Sequence, residues 1–269
     1  MRRLPAFVLA LLASTALHAA ELRLELPGGT RQWDTAALLA HREAQPIEIP
    51  ADVAYKRAMH YRAVPLASLL DGVQPGDHLQ LVAKDGFAAE LSAAPLLARS
   101  GARAWLAIED PAAPWPPLGA GKPSAGPFYL VWSDPQLADI GSEQWPFQVV
   151  TIRCLDAVAQ RFPALTPATD AAPAVQAGFA QFQKNCLACH RLNGAGDAQF
   201  GPDLNLPHNP TEYFAADFLA RYIRDPQSLR RWPQGKMPGF SREALSDQQL
   251  GELIAYLRHM AGRKVGADQ

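Results

Sequence analysis

Leu22, Leu24 and Leu26 alternate with charged neighbours and run into Pro27-Gly28-Gly29, so the mature chain opens with a strand that ends in a turn. The runs Leu79 to Ala83 and Ala88 to Leu91, on either side of Lys84-Asp85-Gly86-Phe87, predict a hairpin. Further strands are predicted at Trp105 to Ile108, Phe128 to Trp132 and Phe147 to Ile152, where aromatic and β-branched side chains suit a pleated surface. Short helices are predicted at Asp34 to His41, with Asp34 as cap, and at Pro65 to Leu70, with proline in the first turn. Pro111 to Pro127, with six prolines and three glycines, can only be irregular. Beyond residue 173 the apolar period changes from two to that of a helix. Ala174 to Asn185 carries Val175, Phe179 and Phe182; Tyr213 to Arg224 carries Phe214, Phe218, Leu219, Tyr222 and Ile223; Leu250 to Met260 carries Leu250, Leu253, Ile254 and Leu257. The last helix has a written start: Ser246 caps, Gln249 completes a capping box, and Leu245 with Leu250 forms a staple across it.

The change of period divides the chain. Residues 21–162 read as a mixed α/β domain and 174–269 as an all-α one. Between them 163–173, with three prolines in eleven residues, reads as a semi-extended linker. A total of 269 residues suits two modest domains at about 150 residues each. Hydrophobic residues at 48% and charged residues at 19% exclude a disordered chain. The net charge is −1, made up of +2 from Arg2 and Arg3, −4 over 21–165 and +1 over 166–269, which speaks against nucleic acid as a partner.

Residues 1–20 read as a secretory signal. Met1-Arg2-Arg3 precedes an apolar run from Leu4 to Leu17, too short to span a bilayer, and small residues follow at Ala19 and Ala20, after either of which cleavage can fall. An exported, periplasmic protein without a membrane span after signal removal is expected. Arg2-Arg3 lacks the context of a twin-arginine signal.

Chemistry enters at Cys186-Leu187-Ala188-Cys189-His190, the C-x-x-C-H pattern of covalent haem c attachment. Cysteines three apart lie on one side of a single helical turn, so both thiols can add to the two vinyl groups of one haem, and the adjoining His190 comes beneath the iron. A redox dithiol or half a zinc site would need a βαβ setting or a second ligand pair, and the one other cysteine is Cys154. The second axial ligand is sought among Met237, Met260, His208 and His259. Met237, in the loop Gly235-Lys236-Met237-Pro238-Gly239, is the candidate, since proline fixes that backbone and a soft thioether suits iron. Met260 and His259 are read as terminal-helix positions facing core or solvent, and His208 as an exposed loop residue. His/Met ligation leaves no open coordination position and favours electron transfer, so no catalytic residue is assigned.

Together, Gly178-Phe179-x-x-Phe182, Cys186-x-x-Cys189-His190, Gly201-Pro202-Asp203-Leu204, Met237-Pro238 and Leu253-x-x-Tyr256-Leu257 resemble a class I c-type cytochrome domain over about residues 174–262. The resemblance implies that the first and last helices cross, with Gly178 allowing close approach and Phe182 and Tyr256 near the crossing. It implies that the Pro202 carbonyl accepts a hydrogen bond from His190; Arg230, Arg231 and Trp232 resemble the residues that approach haem propionates in that family, and read equally as a solvated basic face.

Within residues 55–152, Tyr61-Arg62-Ala63-Val64-Pro65-Leu66-Ala67-Ser68-Leu69-Leu70, Leu81-Val82-Ala83-Lys84-Asp85-Gly86-Phe87 and Gly126-Pro127-Phe128-Tyr129-Leu130-Val131-Trp132 resemble the sulfite-oxidase-type molybdopterin-binding fold. That family ligates molybdenum with a cysteine thiolate upstream of its Val-Pro-Leu element, whereas no cysteine occurs here between Glu21 and Cys154. The resemblance supports a fold and speaks against the molybdenum cofactor. The expected function is therefore a periplasmic monohaem cytochrome passing single electrons between redox protein partners, with a non-catalytic N-terminal docking or ligand-binding module. The alternative is a molybdenum oxidoreductase of a small oxyanion with its own haem relay. Cys154 is read as a small apolar residue after the last strand, or a thiol open to mixed disulfides. His41, His60 and His78 are read as surface or structural residues, and Trp115 as a staple of its own loop or a partner anchor.

Overall fold

The computed structural model describes residues 20–198 and 200–265. The signal read at 1–20 lies, apart from Ala20, outside the described residues. Among those described, nine strands form two sheets, and the helices that follow gather around a second apolar core.

The first sheet contains β1 (Glu21–Leu26), β2 (Gly29–Asp34), β5 (His78–Ala83), β6 (Ala88–Ser92) and β9 (Val149–Leu155), in the order β2-β1-β9-β5-β6. The second contains β3 (Gln45–Ile49), β4 (Met59–Pro65), β7 (Arg103–Ile108) and β8 (Phe128–Ser133), in the order β3-β4-β7-β8. All neighbours are antiparallel except β1 and β9. The alternation along β1 has its physical outcome: Leu22 and Leu24 are fully buried, and each such side chain contributes about 1.5–3 kcal/mol. Strands β7 and β8 are instead buried along almost their whole length, which is why their sequences read as continuous apolar runs. Helix α1 (Thr35–Leu39) starts where expected, with Asp34 Oδ1 accepting from the Ala37 N–H at 2.7 Å. Helix α2 (Ala93–Leu97) follows β6.

Three local expectations are corrected. Pro65 does not open a helix. It is the buried last residue of β4, paired with Trp105, and only a 3-10 turn, Leu66–Ser68, follows it. Proline is tolerated there because the strand ends and no further ladder donor is needed. Strand β9 begins at Val149 because Gln148 has φ 53°, leaving Phe147 only an isolated bridge to Tyr129. Cys154 lies inside β9, opposite Leu79, and packs against the first core.

The helical region runs α3 (Val158–Arg161), α4 (Pro173–Asn185), α5 (Pro210–Tyr213), α6 (Ala216–Arg224), α7 (Pro226–Leu229) and α8 (Asp247–Ala261). The helix expected over Tyr213 to Arg224 is broken between α5 and α6, where Phe214 and Ala215 have extended ψ angles of 135° and 149°. The proline-rich stretch is not simply extended: Pro163–Leu165 forms a 3-10 turn, and Leu165 is fully buried in the second core. The Leu165 carbonyl accepts from Tyr256 Oη at 2.7 Å, and the Ala168 N–H donates to His259 Nε2 at 3.1 Å. Helix α8 begins as its sequence says, with Ser246 Oγ accepting from the Gln249 N–H and Gln249 Oε1 accepting from the Ser246 N–H. Helices α4 and α8 meet backbone to backbone at Gly178, where a Cβ would stand 2.0 Å from the Glu252 carbonyl oxygen. The Phe179 and Phe182 rings lie 5.5 and 5.4 Å from Tyr256 beside that contact. Among the described residues no helix is long and apolar enough to cross a membrane.

Candidate haem-attachment site

Helix α4 ends at Asn185 because the chain turns tightly there. Cys186 caps it, donating from its N–H to the Phe182 carbonyl at 2.9 Å. The Cys189 and His190 N–H groups then both donate to the Cys186 carbonyl, at 3.0 and 2.8 Å. One turn therefore carries both thiols and the histidine, all half-buried, and the thiols are free. Burial, with a smaller contribution from the Glu143 carboxyl, pushes both thiols up to about 12.

His190 is fixed on its second nitrogen. Nδ1 donates to the Pro202 carbonyl at 2.8 Å, which selects the tautomer whose Nε2 lone pair is free to meet a metal. Burial lowers the imidazole, against the Pro202 hydrogen bond and the Asp203 carboxylate, which keeps the ring in the neutral form a metal requires. Gly201 lies flat against the ring, where a Cβ would stand 2.3 Å from Cε1 and 2.5 Å from Nδ1. Its N–H also donates to the Cys189 carbonyl at 2.8 Å. Two adjacent thiols and an oriented, backed imidazole are a donor set that fits a covalently attached haem.

A polar scaffold that the sequence reading missed holds this loop in place. Asp203 accepts from the N–H groups of Asn193, Gly194, Asn205 and Leu206. Asn193, Asn205 and Asn209, all buried, hydrogen-bond in series. They reach the Met260 carbonyl at 2.7 Å from Asn205 and the Leu257 carbonyl at 2.9 Å from Asn209, so the loop is tied to the end of α8. The available signal was the cluster of asparagines in a loop otherwise rich in Gly and Pro. Each buried amide needs partners, and only the folded chain supplies them.

Met237 packs on the same second core as Cys186. Half-buried, it lines an apolar cavity of about 320 Å³ with Phe214, Tyr222, Leu229, Arg230 and Trp232, and His190 is not on that wall. The Arg230 guanidinium lies 5.3 Å from the Trp232 ring centroid. Of the other candidates, Met260 is core and His208 is exposed.

The first domain offers no comparable donor set. Among the described residues no group of three or more His, Cys, Asp or Glu side chains could hold a metal ion. Burial raises the Cys154 thiol, and it lies on β9 rather than upstream of Val64-Pro65-Leu66, so the residues present do not fit a molybdenum thiolate site. Trp115 packs edge-on to Tyr61 at 4.8 Å, and its backbone N–H donates to Glu109 Oε1 at 2.7 Å, which staples the long loop to the core. Tyr61 and Tyr129 converge on the buried Asp52 carboxylate at 2.8 and 3.3 Å.

Comparison with curated proteins finds no match to this chain. Residues 175–261 match the family model described as Cytochrome c, which supports a c-type cytochrome domain there, with covalently bound haem c and a role in electron transfer.

Proposed function

We propose that this chain is an exported, periplasmic electron carrier in which a single haem c is attached through Cys186 and Cys189 and bound axially by His190 and Met237. A bound haem c supplies a one-electron redox couple. The chain's own residues would hold it by thioethers at Cys186 and Cys189, by His190, whose ring the Pro202 carbonyl fixes, and by the Met237 thioether. The observation that carries this reading is the single turn Cys186 to His190, with Nδ1 locked 2.8 Å from Pro202. Residues 21–162, for which we propose a sulfite-oxidase-like fold without its metal, serve as a docking or ligand-binding module for a redox protein partner. The lack of a cysteine between Glu21 and Cys154 supports a non-catalytic role.

The test is expression in cells competent in cytochrome maturation, followed by haem staining after denaturation and metal analysis of the same sample. One iron per chain and no molybdenum are expected. A colourless product overturns the assignment. Stoichiometric molybdenum with oxyanion-dependent haem reduction would replace it with the oxidoreductase reading.

A further inference from the structure

The first domain grips the haem-attachment segment on both sides. Before the cysteines, Lys184 Nζ pairs with Asp139 Oδ2 at 2.9 Å. Gly141 seats against the same helix end, where a Cβ would stand 2.9 Å from Lys184 Cε and 3.3 Å from Asn185 Oδ1. The next turn, Ser142–Gln144, packs on α4. After the histidine, Asp197 Oδ2 accepts from Gln80 Nε2 of β5 at 2.8 Å and from Arg161 Nη1 at 3.0 Å. Arg161 spends its second arm on Glu90 Oε1 of β6 at 2.6 Å. Glu90 is buried and also accepts from His78 Nε2 at 2.5 Å and from Gln80 at 2.6 Å. Gln80 is in turn bonded to Arg153 of β9. This network lies largely out of solvent, joins three strands of the first sheet to the loop after His190, and leaves no arm of Arg161 idle, since its Nε donates to the Asp156 carbonyl.

We propose that the first domain is a fixed cover over the haem-attachment segment 184–197, held by the Asp139–Lys184 and Arg161–Asp197 pairs, so that electrons leave the haem by an edge other than the thioether side. This rests on the cytochrome reading above and deepens it. A tethered docking arm would need neither a half-buried arginine bridging Glu90 and Asp197 nor a glycine-tight contact at the start of the attachment turn. Arg161 and Asp197 act here as positioning residues.

The test uses the full holoprotein with Asp139→Asn and Asp197→Ala combined; both side chains are more than a third exposed, and asparagine keeps the left-handed backbone of residue 139 (φ 51°) unstrained. Two readouts are taken: amide hydrogen exchange at Cys189, His190 and Gly201, and the rate of haem reduction by photogenerated neutral lumiflavin semiquinone, a probe that senses edge access without sensing charge. Asp217→Asn, an exposed carboxylate of α6, is the control for lost charge. Exchange in the segment is expected to rise about tenfold or more, since the change at 197 removes the hydrogen bonds from Gln80 and Arg161 and the change at 139 removes the charge pair with Lys184, and reduction to accelerate several-fold, with the control at the wild-type rate. Unchanged exchange and reduction in a variant that still stains for haem overturns the cover. If the wild-type protein carries no covalent haem, the cytochrome reading itself fails, which is a separate result. Should the double variant not fold, Asp197→Ala alone supports the same comparison.

Discussion

The two halves of this molecule reveal themselves in opposite ways. In the first, the apolar pattern is legible and the chemistry is not: alternating leucines and aromatic runs mark the strands, yet the buried polar groups, Asp52 under two tyrosines and Glu90 under Arg161, serve structure. In the second, five residues declare a chemistry, while the fold depends on contacts that short helices cannot announce. The difference teaches that a covalent cofactor site is local in sequence because both thiols and the histidine must share one turn. A β core is assembled from strands more than 100 residues apart, as β1 and β9 are.

The comparison can be broken most directly at the attachment turn. Changing Cys186 or Cys189 to Ala should leave at most one thioether, so haem staining after denaturation falls sharply while the first domain's circular dichroism stays intact. Full retention in both variants would mean that the chemistry is not local.

Next in size is the junction. Arg161→Ala should destabilise the protein by about 3 kcal/mol, because the buried Glu90 carboxylate would lose its arginine and keep only His78 and Gln80 as partners. Denaturant unfolding measures it, and a loss under 1 kcal/mol would show the two halves to be independent. The same site has a pH signature. Burial pushes Glu90 up, but hydrogen bonds from His78 and Arg161 outweigh it and hold the carboxyl below its ordinary value of 4.5. A carboxylate lowered on folding contributes its full stabilisation above that ordinary value and loses it as the pH falls through the folded one. Stability should therefore drop on acidification below about pH 4.5, and less so in Glu90→Gln.

Gly178→Ala should cost about 1–3 kcal/mol or more, since α4 and α8 must separate to admit a methyl group at 2.0 Å from a carbonyl. The midpoint of thermal unfolding reports it. Met237→Ala should keep the covalent haem, remove the methionine–iron absorption band, and lower the reduction potential by some part of the roughly 0.8 V range that axial ligands span. An unchanged band would assign the sixth position to another residue. The smallest effect is Ser246→Ala, which removes a cap at about 1 kcal/mol.

Much of the fold could be read directly. Strands β1, β5, β6, β7 and β8, the Asp34 and Ser246 caps and the span of α4 follow from period and punctuation, because those signals act within a few residues. Pro65 misled because a proline at a helix start and one at a strand end obey the same restriction on φ and the same missing donor. The break before α6 escaped because the apolar period continues across it, while the backbone at Phe214 and Ala215 turns extended.

Sequence by itself determined the attachment chemistry, since thiol spacing and an adjacent imidazole are fixed by the covalent chain. Tertiary structure alone decided what surrounds that chemistry. It placed Gly201 flat on His190, joined three asparagines into a ladder to α8, and set Arg161 between Glu90 and Asp197. Each of these requires a buried polar or tightly packed group to find a partner that the chain brings near only when both cores have formed.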